Sequence, residues 1–300
     1  MMSKAWHRAL CAGLAVMLLW VAASPALPAA ETDAGWHTFW SVKGRHGNTL
    51  WLLGSVHLLR PEDASPPPNV LEAYRASKQL VLELQVDGAG GMGPPDARLL
   101  KLPPGRSLRA ELGTPLYERF TATAASQGLP TTLLDPLQPW FAAITYEQTL
   151  YAKLGLDAAQ GVDVQFARRA AADGKPVIGL ETLNEQLGFF ASLSMKDQVE
   201  LLRETLDETA DIEKELGEII TAWRRGDVAR LESLLAKGRT DSPVLMQRLT
   251  TDRNRKWMKK LLPLLEGQQD ALVIVGALHL AGPDGLPNLL RKAGWQPVQR

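Results

Sequence analysis

Cysteine is almost absent from this chain: Cys11 is the single one in 300 residues. It falls in an N-terminal stretch that reads as a leader, so the remainder carries no thiol. That excludes a thiol nucleophile and a structural disulfide alike. Excess charge is also absent. The 33 basic and 33 acidic residues cancel, which argues against nucleic acid as a partner, since that needs a basic footprint. Common catalytic signatures are missing too: there is no G-x-S-x-G elbow, no H-E-x-x-H and no Walker A loop. These gaps remove the familiar answers without excluding an enzyme.

Long apolar runs are scarce as well. Residues 9–23 form the leading one, and they fall short of the roughly 20 residues a comfortable membrane span needs. Lys4 and Arg8 precede this run, and Ser24, Pro25, Ala26, Leu27, Pro28, Ala29 and Ala30 follow it. Basic, apolar and small-residue segments in that order are the pattern of a secretory signal. The expectation is therefore a signal peptide over residues 1–30, cleaved after Ala26 or Ala29, and an exported protein, periplasmic or secreted, over 31–300. An uncleaved anchor is the alternative. Arg8, Ala9 and Leu10 before Cys11 do not resemble a lipoprotein acylation site. Losing Lys4 and Arg8 would leave 31 basic against 33 acidic residues, a charge near −2.

Beyond the leader, 38–42 and 49–53 read as strands joined by a turn at 44–48, a β-hairpin. Three prolines at 66–68 precede an amphipathic helix over about 69–77. Leu80, Val81, Leu82 and Leu84 are nearly continuous, as in a strand buried on both faces. The Gly- and Pro-rich stretch 86–105 reads as a surface loop, and helical patterning then runs to about 174. Residues 175–180 form another short strand. Two capping-box patterns follow, Thr182-x-x-Glu185 and Ser194-x-x-Asp197. The second opens a long helix with the stripe Val199, Leu202, Leu206, Ile212, Leu216, Ile219 and Trp223, broken at Gly226-Asp227. Helices over 227–237 and 242–266, a strand over 270–275, a helix over 286–293 and an extended tail complete the chain. Strands alternating with helices predict an α/β fold: a mostly parallel central sheet with flanking helices, an N-terminal β-hairpin and a helical lobe in the middle of the chain.

Chemistry concentrates in two matching segments. Leu52-Leu53-Gly54-Ser55-Val56-His57-Leu58 and Val273-Ile274-Val275-Gly276-Ala277-Leu278-His279-Leu280 each read as apolar strand, Gly, two residues, His, Leu. A histidine three residues past such a glycine lies just beyond the strand's carboxyl end, where open α/β sheets bind ligands. A lone Gly-x-x-His is more often a satisfied core histidine; two in equivalent places point to a site. His37 and His46, at a strand start and in a turn, carry no such signal. Glu83 interrupts an apolar strand, and burying a carboxylate requires a pair, a proton or a cation. Glu181 ends another strand and is a candidate general base, or simply favours the helix start beside Thr182. Arg253 stands in an apolar stripe between Leu249 and Trp257. It is placed to clamp Glu83 or Glu181, to face substrate, or to snorkel to solvent, with Asn254 as a polar neighbour.

Taken in order, 53–59, Leu82-Glu83, Gly161-Val162-Asp163, Gly179-Leu180-Glu181-Thr182, Arg253-Asn254-Arg255 with Trp257, and 276–280 resemble the TraB/GumN/Tiki family, over roughly 36–300. The closing 282–286 with Gly294-Trp295 fits as well. Arg60 before Pro61 departs from the family's usual pattern of a proline after Leu-Leu, outside the core motif.

The animal branch of that family consists of membrane-associated metalloproteases dependent on manganese or cobalt. Bacterial members are linked to peptide-pheromone shutdown or occur in polysaccharide gene clusters. The resemblance implies His57, Glu83 and His279 as metal ligands, with Asp163 and Arg253 in support. The expectation is an exported metal-dependent hydrolase, a peptidase using manganese, cobalt or zinc on a peptide or protein substrate. Glu83, Glu181 and Arg253 are its catalytic candidates, Asp163 and Asn254 its supporting residues, and membrane or envelope association an open partner class. The alternatives are a non-catalytic binder of peptide, haem or metal, and an accessory of an envelope or polysaccharide complex.

Overall fold

The structure, a computed structural model, describes residues 36–84, 93–207, 212–241 and 243–300. The expected leader lies outside the described residues, as do 85–92 of the expected loop. Six strands form one sheet in the order β4-β3-β5-β2-β1-β6. They are β1 (Phe39–Lys43), β2 (Thr49–Ser55), β3 (Gln79–Leu84), β4 (Val177–Glu181), β5 (Ala271–Gly276) and β6 (Val298–Gln299). β1 and β2 form the predicted antiparallel hairpin, with Phe39 opposite Leu53 and Lys43 opposite Thr49. β2, β5, β3 and β4 are mutually parallel neighbours, and β6 closes the far edge antiparallel to β1. The mostly parallel α/β sheet expected from the sequence is therefore present.

The helices are α1 (Pro68–Ala76), α2 (Ala97–Leu100), α3 (Leu108–Leu112), α4 (Thr114–Ser126), α5 (Pro139–Lys153), α6 (Val162–Ala172) and α7 (Leu183–Ala191). They continue as α8 (Met195–Asp207), α9 (Ile212–Arg225), α10 (Val228–Asp241), α11 (Pro243–Met246), α12 (Arg253–Leu265) and α13 (Leu286–Lys292). No helix among the described residues is long and apolar enough to cross a membrane.

Side-chain alternation along the strands divides the core in two. Leu80, Leu82, Leu272 and Ile274 face the cluster built from the mid-chain helices. Val81, Val273, Val275, Leu50 and Leu52 face the cluster of Trp257, Leu261, Leu265, Leu286 and Leu290 on α12 and α13. The helical lobe is bolted to the hairpin through Trp223 at the end of α9. Its indole N–H donates to the Gly54 carbonyl at 2.7 Å, while the Thr38 hydroxyl donates to the Trp223 carbonyl at 2.6 Å. The tie thus lands on the glycine of the first Gly-x-x-His segment.

One expectation needs adjustment. The Gly- and Pro-rich stretch contains a short helix, α2, because Asp96 caps it by accepting from the Arg98 N–H. The stripe from Val199 to Trp223 is helical on both sides of 208–211, which lie outside the described residues, so α8 and α9 are separate described elements. The helix expected over 242–266 runs through α11 and α12 and widens between them into a π-helical turn at Gln247–Asp252. The capping box at Thr182 forms with both of its bonds to Glu185, whereas at Ser194 the hydroxyl accepts from the Asp197 N–H and donates to the Asp197 carboxylate.

Gly217 lies on the solvent side of α9, and a Cβ there would meet nothing within 4 Å. A mid-helix glycine in open space is less favourable than alanine by roughly 0.5–1 kcal/mol. Gly217→Ala is therefore expected to raise the free energy of unfolding by that amount; a loss of stability in urea titration would contradict this assignment of α9.

Candidate functional site

The carboxyl ends of β2, β3, β4 and β5 converge on one polar cluster, which the sheet order assembles from distant segments. β2 and β5 are parallel neighbours with Ser55 opposite Gly276, so the chain leaves both strands side by side and carries His57 and His279 to the same edge. His279 sits in the 3-10 turn Ala277–Leu280. β3 supplies Glu83 and β4 supplies Glu181, and α12 lowers Arg253, Asn254 and Trp257 onto them. His57, Glu83, Glu181, Arg253, Asn254 and His279 are all buried.

Arg253 is the hub. A guanidinium has five N–H donors, and all are engaged. Nε donates to Glu181 Oε2 at 3.3 Å, and Nη2 donates to Glu181 Oε1 and Glu83 Oε2, both at 2.5 Å. Nη1 donates to the Leu249 carbonyl and to His279 Nε2, both at 3.2 Å. The side chain does not snorkel; it clamps the two carboxylates. The rings of Trp257 and Phe189 lie 4.6 and 5.8 Å from its guanidinium carbon.

The two histidines are held differently. Asn254 donates from Nδ2 to the carbonyls of His279 and Asp284, so its Oδ1 is the atom turned to His279 Nδ1, at 2.7 Å. Nδ1 must then carry the proton, which leaves Nε2 as the acceptor that Arg253 uses. Burial, the foremost influence, lowers the pKa of His279. Glu83 opposes this, Arg253 and His57 reinforce it, and the imidazole ends at about 3, neutral at physiological pH. Trp257 lies against the ring with centroids 4.4 Å apart.

His57 Nδ1 meets Asp163 Oδ1 at 2.9 Å, whereas its buried Nε2 has no partner among the described residues. Burial lowers the His57 pKa, but the charge and hydrogen bond of Asp163, aided by Glu83, outweigh it and raise the group. Asp163 reaches His57 because Gly161 lets the start of α6 run against the His57 backbone. A Cβ at Gly161 would lie 2.4 Å from the His57 carbonyl oxygen, and Val162 N–H donates to the Val56 carbonyl at 3.1 Å. The Gly161-Val162-Asp163 motif is thus a close approach followed by an orienting carboxylate.

Glu83 Oε1 accepts from the Gly276 N–H at 2.6 Å and lies 3.8 Å from His279 Nε2. Burial pushes its carboxyl up, but Arg253, the two histidines and the Gly276 N–H bring it down to about 2. Glu181 is raised instead: burial dominates, Arg253 opposes, and Glu83 adds repulsion. Trp257 Nε1 also donates to Glu181 Oε2 at 3.3 Å. The structure therefore brings Glu83, Glu181, Arg253, Asn254 and His279 into one bonded network and sets the His57–Asp163 pair beside it. The atoms suited to a divalent cation are His57 Nε2, His279 Nε2 and Glu83 Oε1.

Gln186 on α7 is a member that sequence reasoning missed. Its Nε2 lies 3.4 Å from both Glu83 Oε2 and Glu181 Oε1, while its buried Oε1 lacks a protein partner. In this orientation the amide donates, as ionised Glu83 requires. A signal existed only indirectly: Gln186 lies one turn after the Thr182 cap.

Comparisons with known proteins agree with the motif order. The profile of the TraB/PrgY/gumN family matches residues 38–299. A protein of Escherichia coli strain K12 named YbaP, described as uncharacterised, is 28% identical over 240 residues, covering 80% of this chain and 87% of that protein. YbaP of Shigella flexneri is similar to the same extent. No solved structure matches.

Gly161→Ala forces backbone apart where His57 and α6 meet. Such overpacking costs roughly 1–3 kcal/mol, so the variant is expected to unfold at lower urea than wild type. Unchanged stability would show that the close approach at Gly161 is not needed.

Proposed function

We propose, from the premise that this chain belongs to the TraB/PrgY/gumN family, that it is an exported, metal-dependent hydrolase that cleaves peptide bonds in a peptide or protein substrate. The observation that carries this reading is the way the two imidazoles are held. Each is fixed through Nδ1 by a side-chain oxygen, Asp163 for His57 and Asn254 for His279, which leaves Nε2 as the outward nitrogen of each ring, with His279 Nε2 3.8 Å from Glu83 Oε1. Metal-ligating histidines are oriented by just such outer partners.

The residues fit a divalent cation in kind. Two Nε2 atoms and one carboxylate leave room in the coordination shell for water, and His57 Nε2, buried without a partner among the described residues, is a nitrogen of the right type. They are not yet gathered: among the described residues, no group of three or more His, Cys, Asp or Glu stands at metal-ligand spacing. His57, Glu83 and His279 would hold manganese, cobalt or zinc, which when bound supplies a more acidic water and a polarised carbonyl. The chain's own groups do the rest. Asp163 keeps His57 in one tautomer and Asn254 does the same for His279. Arg253 keeps Glu83 ionised and available as a ligand. The water-excluding walls of Trp257 and Phe189 strengthen every charge interaction inside. The peptide class comes from the family's protease branch, and export from the leader pattern at 1–30.

One observation favours a second, metal-free reading. Arg253 already satisfies His279 Nε2 and Glu83, so His57 is the one histidine of the pair with an unused nitrogen. Held by Asp163, its Nε2 would take a proton from water as the new C–O bond forms and return it to the amine as the C–N bond breaks.

The discriminating experiment follows cleavage of quenched-fluorescent peptides by the purified protein with manganese, cobalt or zinc. His57→Ala is expected to lower turnover on the order of 10²-fold or more, with His46→Ala equal to wild type. Cleavage that survives chelation would select the metal-free reading. No cleavage at all, with peptide or haem affinity lost in His57→Ala, would replace the hydrolase by a binder.

A further inference from the structure

The cluster around Arg253 is unbalanced in charge. Two buried carboxylates, Glu83 and Glu181, share one guanidinium. This leaves one more acidic than basic side chain among the three, and the His57–Asp163 pair lies beside them. Buried charge without a partner is strongly disfavoured, so further positive charge would be accommodated here.

The contacts of Arg253 are also unevenly divided. Toward Glu181 it makes a two-point fork, from Nε and from Nη2. Toward Glu83 and His279 it makes one contact each. Its remaining donor rests on the Leu249 carbonyl of its own helix, in the π-helical turn. A fork of this kind is the strong, geometrically specific form of an arginine–carboxylate bond. The anchor of the guanidinium is therefore Glu181, and the single contacts to Glu83 and His279 are the ones made to groups that would ligate an ion.

We propose that Arg253 stands in for a divalent cation at His279 Nε2 and Glu83, and that Glu181 is the positioning residue that retains the guanidinium when the ion takes those atoms. The inference rests on the reading that His57, Glu83 and His279 bind the ion. A dication and a guanidinium on the same atoms repel one another in a buried space, so the guanidinium has to withdraw toward a carboxylate of its own. Glu181 supplies one, with Trp257 Nε1 already holding its second oxygen. Gln186 Nε2, midway between Glu83 and Glu181, can follow whichever carboxylate loses an Arg253 contact. Glu181 acts here through Arg253, not as a general base.

The test is manganese affinity by titration calorimetry, with the manganese-induced shift in melting temperature as a second readout. The proteins are the purified wild type, Glu181→Gln and Arg253→Met, with Arg253→Lys included because loss of the buried cation can compromise folding. Glu181→Gln is expected to weaken manganese binding by about tenfold or more, the usual consequence of losing an outer-shell partner. Arg253→Met is expected to tighten it, and Arg253→Lys, whose ammonium lacks the planar fork, to shift it the same way. Opposite signs from the two halves of one ion pair are the signature of exchange. Weakening in both halves, or no change in Glu181→Gln, would overturn the proposal while leaving the ligand set standing. A folded wild type that binds no manganese would overturn the ligand set, and the exchange with it.

Discussion

Arg253 is 1% exposed, and a cation so placed dictates what surrounds it. Desolvating a charge is expensive unless every hydrogen-bonding position is filled, and breaking a buried pair typically costs about 3–5 kcal/mol. The chain meets this demand from four separate segments. Glu83 and Glu181 come from the neighbouring strands β3 and β4, His279 from the turn after β5, and Leu249 from the π-helical turn preceding α12. One guanidinium thereby fixes the register of α12 against the carboxyl edge of the sheet. Asn254, the next residue, is then carried onto His279, so two consecutive side chains engage both nitrogens of one imidazole.

The result is a site whose polar groups are nearly all committed to one another. Glu83 takes a backbone donor and a guanidinium, Glu181 a fork and an indole, and His279 a donor and an acceptor. Against that closed network, His57 stands apart, oriented by Asp163 through one nitrogen and unused at the other. This asymmetry bears on any chemistry the cluster performs. A committed network pre-organises charge, while an unused nitrogen is where a proton, a metal or a substrate group is taken up.

Much of this was legible before the fold was seen. The paired Gly-x-x-His segments follow the two apolar strands that become parallel neighbours, β2 and β5. Glu83 inside an apolar strand and Arg253 inside an apolar stripe were each anomalous alone, and they are each other's partners. The hairpin, the buried strands and both helix caps followed from periodicity and turn chemistry. Other features depend on tertiary context. Gln186 differs in no local way from any polar residue early in an amphipathic helix. The π-helical turn at Gln247–Asp252 contains no glycine or proline to announce it. Helix α2 was hidden because glycine and proline density outweighed the Asp96 cap. That Arg253 spends all five donors inside the protein could be known only from its neighbours.

The central claim is that the two distant Gly-x-x-His segments and Glu83 form one divalent-ion site. Elemental analysis of the purified protein after loading with manganese, cobalt or zinc tests it most directly, comparing wild type with His57→Ala and His279→Ala under conditions where circular dichroism shows all three folded. The account predicts one ion per wild-type chain and loss of that ion in both variants. Retention of the ion in either variant, or its absence from the folded wild type, would contradict it.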